Sequence, residues 1–130
     1  MSDQEFIDAF VAGRLAPEGF DHRAHLRVAF LLLRSMPFLE ACIAMRDGLR
    51  ALAGKLGKPD LYHETVTVAF MALLAERSPA AADGWDGFIA THPALCERGL
   101  LDSYYSQALL ASGAARKAFA MPDLVGGIHG

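Results

Sequence analysis

Three of the five histidines in this 130-residue sequence stand where two helices are predicted to begin. His22 and His25 are three positions apart, and His63 is followed directly by Glu64. Positions three apart on a helix are neighbours, with roughly 5 to 6 Å between Cβ atoms, so the first two imidazoles can converge on one point. The spacing therefore predicts a shared histidine site, to which His63 could add a third ring nitrogen.

Such a cluster is suited to a divalent metal. Three protein ligands with one open position are typical of catalytic zinc, and two histidines with one carboxylate suit non-haem iron. Metals bind neutral imidazole, and the positive end of a helix disfavours the charged ring. We therefore predict that His22, His25 and His63 bind zinc or iron. Glu64 would be a fourth ligand or the general base toward a metal-bound water, in a hydrolytic or, with iron, an oxidative reaction.

Two other interpretations remain open. The three imidazoles could cap their helices and bond to loop backbone, without any ligand. Alternatively, the two helix N-termini could hold a small anionic ligand without metal, because the first turn of a helix presents free N–H groups and positive partial charge. The protein would then be a non-enzymatic binding module for that anion or for a protein partner. The candidate ligand-binding side chains are Arg27, Tyr62, Thr67 and Tyr105.

The elements that carry these residues are predicted to be helices throughout. Ser2 and Glu5 form a capping-box pattern that begins a first helix, which stops at Gly13. Asp21 is placed to cap a second helix, and residues 26–33 of its body are apolar almost all round. The second helix should therefore be central.

The rest of the chain follows the same pattern. A third helix begins near Pro37 and closes near Gly57, and Asp60 is placed to cap a fourth helix over residues 62–77. Shorter elements follow, and Ser112 is placed to cap the last helix. Because short connections make successive helices antiparallel, the second and fourth should run parallel and share one end of the bundle. The fold class is thus all-α, a compact single-domain bundle of about six helices with the second and fourth central.

Composition sets the broad limits. We expect residues 1–130 to be a single helical domain, with 1–20 as an outer helix and loop and 125–130 as a flexible tail, because 53% hydrophobic residues suffice for one core. A net charge of -3 disfavours nucleic acid as a partner. No apolar run reaches the roughly 18 to 20 residues that span a bilayer, so no membrane association is expected. The polar, acidic start predicts a cytoplasmic location, and alanine-rich surfaces leave a homodimer open.

Four short motifs carry a resemblance to a family. They are F-x-H-x-x-H-L at residues 20–26, Y-H-E-T-x-T at 62–67, Tyr-Tyr-Ser at 104–106 and Pro-Asp-Leu at 122–124. In this order and spacing the chain resembles a family of small bacterial all-helical proteins without an established activity. The resemblance implies a stand-alone bacterial protein and adds Ser106 and Asp123 to the residues of interest, but it implies no mechanism.

Overall fold

The computed structural model describes residues 1–124. It forms seven α-helices in this range, joined by short 3₁₀ turns and without any β-strand, so the predicted all-α fold is confirmed. The predicted tail, residues 125–130, lies outside the described residues. The helices are α1 (Asp3–Val11), α2 (His22–Ser35), α3 (Phe38–Lys55), α4 (Glu64–Ala75), α5 (Trp85–Thr91), α6 (Gln107–Ala111) and α7 (Gly113–Lys117).

Helix α2 is at the centre of the bundle, as its apolar sequence predicts. Helices α1, α3, α4 and α5 all pack against it, and Val28, Phe30 and Leu32 are completely buried. Phe30 also forms an aromatic cluster with Trp85 and Phe88 of α5. Helix α4 is the second central element, since it lies against α2, α3 and α7 and buries Met71 and Leu74.

The predicted caps of the first two helices are confirmed. The Ser2 hydroxyl accepts from the backbone N–H of Glu5 and the Glu5 carboxylate accepts from that of Ser2, which completes the capping box. The Asp21 carboxylate accepts from the N–H of Ala24 at 2.9 Å. These caps fix where α1 and α2 begin, and hence place His22 in the first turn of α2.

The start of α4 differs from the prediction, because Asp60 is not its cap. Pro59 begins a separate 3₁₀ turn, Pro59–Leu61, and the chain is extended at Tyr62 before the helix starts. The cap is His63 itself, whose Nδ1 accepts from the N–H of Val66 at 3.2 Å. The imidazole therefore accepts the capping hydrogen bond that a carboxylate or hydroxyl more often accepts at this position.

Side-chain hydrogen bonds hold the C-terminal segment against α4 and join two parts of that segment to each other. The buried hydroxyl of Thr65 donates to the carbonyl of Ala115 at 2.7 Å and accepts from the N–H of Ala120 at 3.0 Å. Asp123 accepts from both the N–H and the hydroxyl of Ser106. Ser106 and Asp123, which the resemblance added to the residues of interest, are thus hydrogen-bonded to each other.

Helix α1 packs closely on α3 through one pair of residues. The ring of Phe10, which is buried, lies directly over Gly48 of α3. A Cβ atom built on Gly48 would overlap three atoms of that ring. The glycine is therefore required for α1 to reach the core at this distance.

Among residues 1–124, no helix is both long enough and apolar enough to cross a bilayer.

Candidate functional site

A cavity of about 430 Å³ lies between α2, α3 and α4. Its walls are mostly apolar side chains, to which α3 contributes Met45, Leu49, Leu52 and Ala53, and α4 contributes Val66, Phe70 and Leu74. The polar side chains among those that line it are His22, His25, Tyr62, His63 and Thr67. The structure thus brings the three histidines of the sequence motif to one cavity at the shared end of α2 and α4.

His63 lines this cavity with both ring nitrogens already engaged. Its Nδ1 accepts from the N–H of Val66, and its Nε2 lies 2.7 Å from the carbonyl oxygen of Leu110, to which it can only donate. This pair of bonds defines a neutral ring with hydrogen on Nε2. In this conformation neither nitrogen has a lone pair free for a metal.

His22 is engaged on one side only. Its Nε2 lies 3.1 Å from the carbonyl oxygen of Leu95 and therefore carries the hydrogen. The ring packs edge-on against Phe70, with 5.5 Å between centroids. Within residues 1–124 its Nδ1 has no hydrogen-bond partner, so a neutral His22 offers that lone pair.

His25 has a strongly lowered pKa. Its pKa is lowered from 6.5 to about 4, chiefly because burial penalises the charged ring and secondarily because His22 is close. The ring packs against Phe20 at 4.7 Å, and Phe20 in turn stacks on Phe10. Among the described residues it has no hydrogen-bond partner, so a neutral, unpaired imidazole lines the cavity at pH 7.

Tyr62, Glu64 and Thr67 form a second polar group around the start of α4. The Tyr62 hydroxyl donates to the Glu64 carboxylate at 2.6 Å, while the guanidinium of Arg50 lies over the Tyr62 ring at 5.0 Å. Burial, followed by the bond to Glu64, raises the pKa of Tyr62 well above its usual value. Thr67 donates to the carbonyl of His63 at 2.8 Å. Glu64 itself is not among the side chains that line the cavity.

Two of the predicted ligand-binding residues lie elsewhere. Arg27 forms an ion pair with Asp3 and lies over the ring of Phe6, on the side of α2 that faces α1, where it borders a separate open polar depression. Tyr105 is buried against Ala69 and Leu73, and its hydroxyl donates to the carbonyl of Ala120. Both were predicted from their positions in the sequence, but their side chains point away from the cavity.

The described part of the chain, residues 1–124, contains no group of three or more His, Cys, Asp or Glu side chains arranged to hold a metal ion. Both nitrogens of His63 are directed to Val66 and Leu110 and not toward the other two histidines' free nitrogens as metal ligands would need to be. The metal site therefore stays a prediction.

Sequence reasoning missed the apolar side of the site. The α3 residues Met45, Leu49 and Leu52 recur at spacings of three and four, which is the signal of a helix face turned inward. That spacing could have identified them as core, but not as the wall of a cavity. The carbonyls of Leu95 and Leu110 carry no sequence signal at all, since every residue has one.

Comparisons of the chain with protein families, with curated proteins and with solved structures found no match. The fold and the site define an all-helical protein with a mostly apolar cavity between three of its helices.

Proposed function

We propose that this protein is a binding module for a small, largely apolar molecule that carries one polar group. The observation that carries the proposal is the cavity between α2, α3 and α4. Ligand sites in proteins are typically concavities of about 300–1,000 Å³ with apolar walls and a few placed polar groups. The volume of about 430 Å³ and the five polar side chains among the lining residues agree with that description.

The charge of the residues that line the cavity restricts the class of ligand, which the sequence alone left open. Of the described residues that line it, none is a lysine, arginine, aspartate or glutamate. A fully charged anion such as phosphate would lose its hydration there without gaining a charged partner, which is costly in an apolar surrounding. The proposed ligand is therefore neutral or only weakly polar, in place of the small anion expected from the helix N-termini.

The rim of the cavity supports entry of an apolar molecule. Leu56 and Leu61 line the cavity and are nevertheless 47% and 56% exposed. They stand at the end of α3 and in the turn that precedes α4, and Pro17 of the loop before α2 lines the cavity as well. The Lys55 ammonium donates to the carbonyl of Leu15 at 2.7 Å and so joins the end of α3 to this loop.

The test uses two isomeric probes, hexan-1-ol and 1-methoxypentane, with binding measured by calorimetry and by the shift in melting temperature. Ala53→Leu fills the cavity, because Ala53 lines it, whereas Ala51→Leu on the same helix changes an exposed residue. We expect wild type and Ala51→Leu to bind at least one probe, and Ala53→Leu to bind it about tenfold or more weakly, because a filled cavity excludes the ligand.

Amide chemical-shift changes in wild type are a second measurement that needs no variant. They should concentrate at residues that line the cavity, such as Val66 and Phe70, and spare the Arg27 side of α2. The proposal fails if wild type binds neither probe. It also fails if Ala53→Leu binds as tightly as Ala51→Leu.

Metal binding is the second proposal for the same cavity, favoured by the free Nδ1 of His22 and the unpaired ring of His25. It requires His63 to give up its bonds to Val66 and Leu110. It also requires Glu64, which does not line the cavity and accepts from Tyr62, to turn toward the metal as base or fourth ligand. Protein purified without a histidine tag is analysed before and after incubation with zinc or ferrous iron. Less than about a tenth of an equivalent of metal would exclude this proposal.

A cytoplasmic location is also proposed. It is supported by Cys42 and Cys96, which are both free thiols, as proteins of reducing compartments keep them. Burial, and then the nearby Glu64 carboxylate, raise the pKa of Cys42 to about 11, so that thiol stays protonated and unreactive.

A further inference from the structure

We infer that the polar group of the ligand is a hydroxyl, which donates to Nδ1 of His22 and accepts from the ring N–H of His25. The inference rests on the proposed function, and it adds the chemical class of the ligand: alcohols and phenols with an apolar body.

The tautomer of His22 determines which of its nitrogens can accept a hydrogen bond. A carbonyl oxygen can only accept, so the contact of 3.1 Å between Nε2 and the Leu95 carbonyl places the hydrogen on Nε2. The neutral ring then has its lone pair on Nδ1, and no donor within residues 1–124 reaches it. The edge-on contact with Phe70 holds the ring in this orientation. His22 thus presents a fixed acceptor.

His25 lies one turn further along α2. Its ring lines the same cavity, packs on Phe20 and has no hydrogen-bond partner in the described chain. A neutral imidazole carries one N–H donor and one acceptor. His25 can therefore supply the donor that His22 lacks.

The other polar groups that line the cavity are already committed. Both nitrogens of His63 are bonded to backbone, the Tyr62 hydroxyl donates to Glu64, and the Thr67 hydroxyl donates to the His63 carbonyl. The hydroxyl oxygens of Tyr62 and Thr67 can still accept, but their hydrogens are used. Of the described groups that line the cavity, the ring N–H of His25 is thus the one donor without a protein partner, and Nδ1 of His22 is a ring acceptor without one. A ligand that reaches this pair must complement one acceptor and one donor.

A hydroxyl satisfies both with a single atom, because its O–H donates while its oxygen accepts. An ether oxygen only accepts and would leave Nδ1 of His22 unpaired. A carboxylate also only accepts, and it brings a charge into a cavity whose described walls have no cation. An ammonium group only donates, and it brings the same cost of desolvation.

The experiment compares hexan-1-ol with its isomer 1-methoxypentane, and then with hexanoate, at pH 7.5. We expect wild type to bind the alcohol about tenfold more tightly than the ether, which corresponds to one neutral hydrogen bond. Hexanoate should bind more weakly than the alcohol. His22→Phe keeps an aromatic ring that can pack on Phe70 but has no ring nitrogen and hence no acceptor, so the preference for alcohol over ether should fall to about one.

His92→Phe is the matched control. His92 is also partly buried and packs on a phenylalanine, Phe88, at 5.0 Å, but it does not line the cavity. This variant should keep the full preference of wild type. If it loses the preference together with His22→Phe, the assignment to His22 is wrong.

A measurement on wild type makes the result independent of the folding of the variants. The imidazole nitrogen resonances are recorded by ¹⁵N NMR, and Nδ1 of His22 should move on addition of hexan-1-ol but not of 1-methoxypentane. Equal affinity for the two isomers, or a Nδ1 resonance that the alcohol does not move, overturns the inference and leaves the cavity proposal intact. Failure of both isomers to bind overturns the proposed function itself.

Discussion

Nε2 of His63 lies 2.7 Å from the carbonyl oxygen of Leu110, at the end of α6, while Nδ1 of the same ring caps α4. One neutral imidazole therefore joins two elements that are 47 residues apart in sequence. The contact uses the hydrogen-bonding capacity that a metal ligand would need. His63 is thus a structural side chain in the conformation described, even though it lines the cavity.

His63→Ala should lower the free energy of unfolding by about 2 kcal/mol, because it removes a helix cap and a partly buried hydrogen bond, each of which contributes roughly 1 kcal/mol. His63→Asn keeps a capping acceptor and loses the Leu110 bond, so it should cost about half as much. Urea denaturation at pH 7.5 measures both. Equal losses in the two variants would mean that the cap contributes nothing.

The double variant His22→Ala/His63→Ala separates structural roles from a shared metal. His22 bonds to the Leu95 carbonyl and His63 to Val66 and Leu110, so the two residues have no partner in common. Their stability losses should add within about 0.5 kcal/mol. If the double variant lost little more than either single one, the residues would act on one site, and the metal proposal would gain support.

The sequence predicted the local starts of helices better than their tertiary partners. Ser2, Glu5 and Asp21 are caps of the preferred types, so their positions followed from residue type alone. His63 was expected in the first turn of α4 behind an Asp60 cap, with capping by the imidazole left open as an alternative, and the imidazole is the cap. Imidazole is not among the preferred caps, and the bond to Leu110 that orients the ring depends on where α6 lies.

For the candidate site, the sequence predicted where the histidines lie but not which other side chains line the cavity with them. Topology alone was enough to expect His22, His25 and His63 at one end of the bundle, because two parallel helices with an antiparallel one between them share their N-termini. The exclusion of Arg27 and Tyr105 was not predictable, since it depends on the direction of each side chain around its helix. Arg27 points to Asp3 of α1, and Tyr105 to the Ala120 carbonyl.

Gly48→Ala should destabilise the protein, although alanine is the better helix former by about 1 kcal/mol. The new methyl group would overlap the buried ring of Phe10, which has no space to withdraw into solvent. We expect a net loss of about 1–3 kcal/mol in the free energy of unfolding, as for other overpacked cores. Thermal and urea unfolding measure it.

Gly54→Ala is the control for that prediction. Gly54 lies in the same helix, and a Cβ there meets nothing within 4 Å. This variant should be stabilised by up to about 1 kcal/mol, because only helix propensity changes. Similar effects at both glycines would contradict the close packing of α1 on α3.

The stability of the protein should depend on pH through His25. Its pKa is lowered from 6.5 to about 4 by burial and by His22, so the folded state binds the proton less readily than the unfolded chain. Above pH 6.5 both states are neutral and the full stability is present. Between pH 6.5 and 4 only the unfolded state gains the proton, and stability falls as pH falls, by up to about 3 kcal/mol.

His25→Gln isolates this contribution, because an amide of similar polarity does not titrate while the other histidines and carboxylates still do. Urea unfolding of both proteins at steps from pH 8 to pH 4 gives the difference in stability at each pH. The difference between wild type and variant should be constant above pH 6.5 and shift in favour of the variant as pH falls toward 4. Two parallel curves would show that the His25 ring is solvated in the folded protein, and the neutral imidazole assigned to the cavity would then have to be withdrawn.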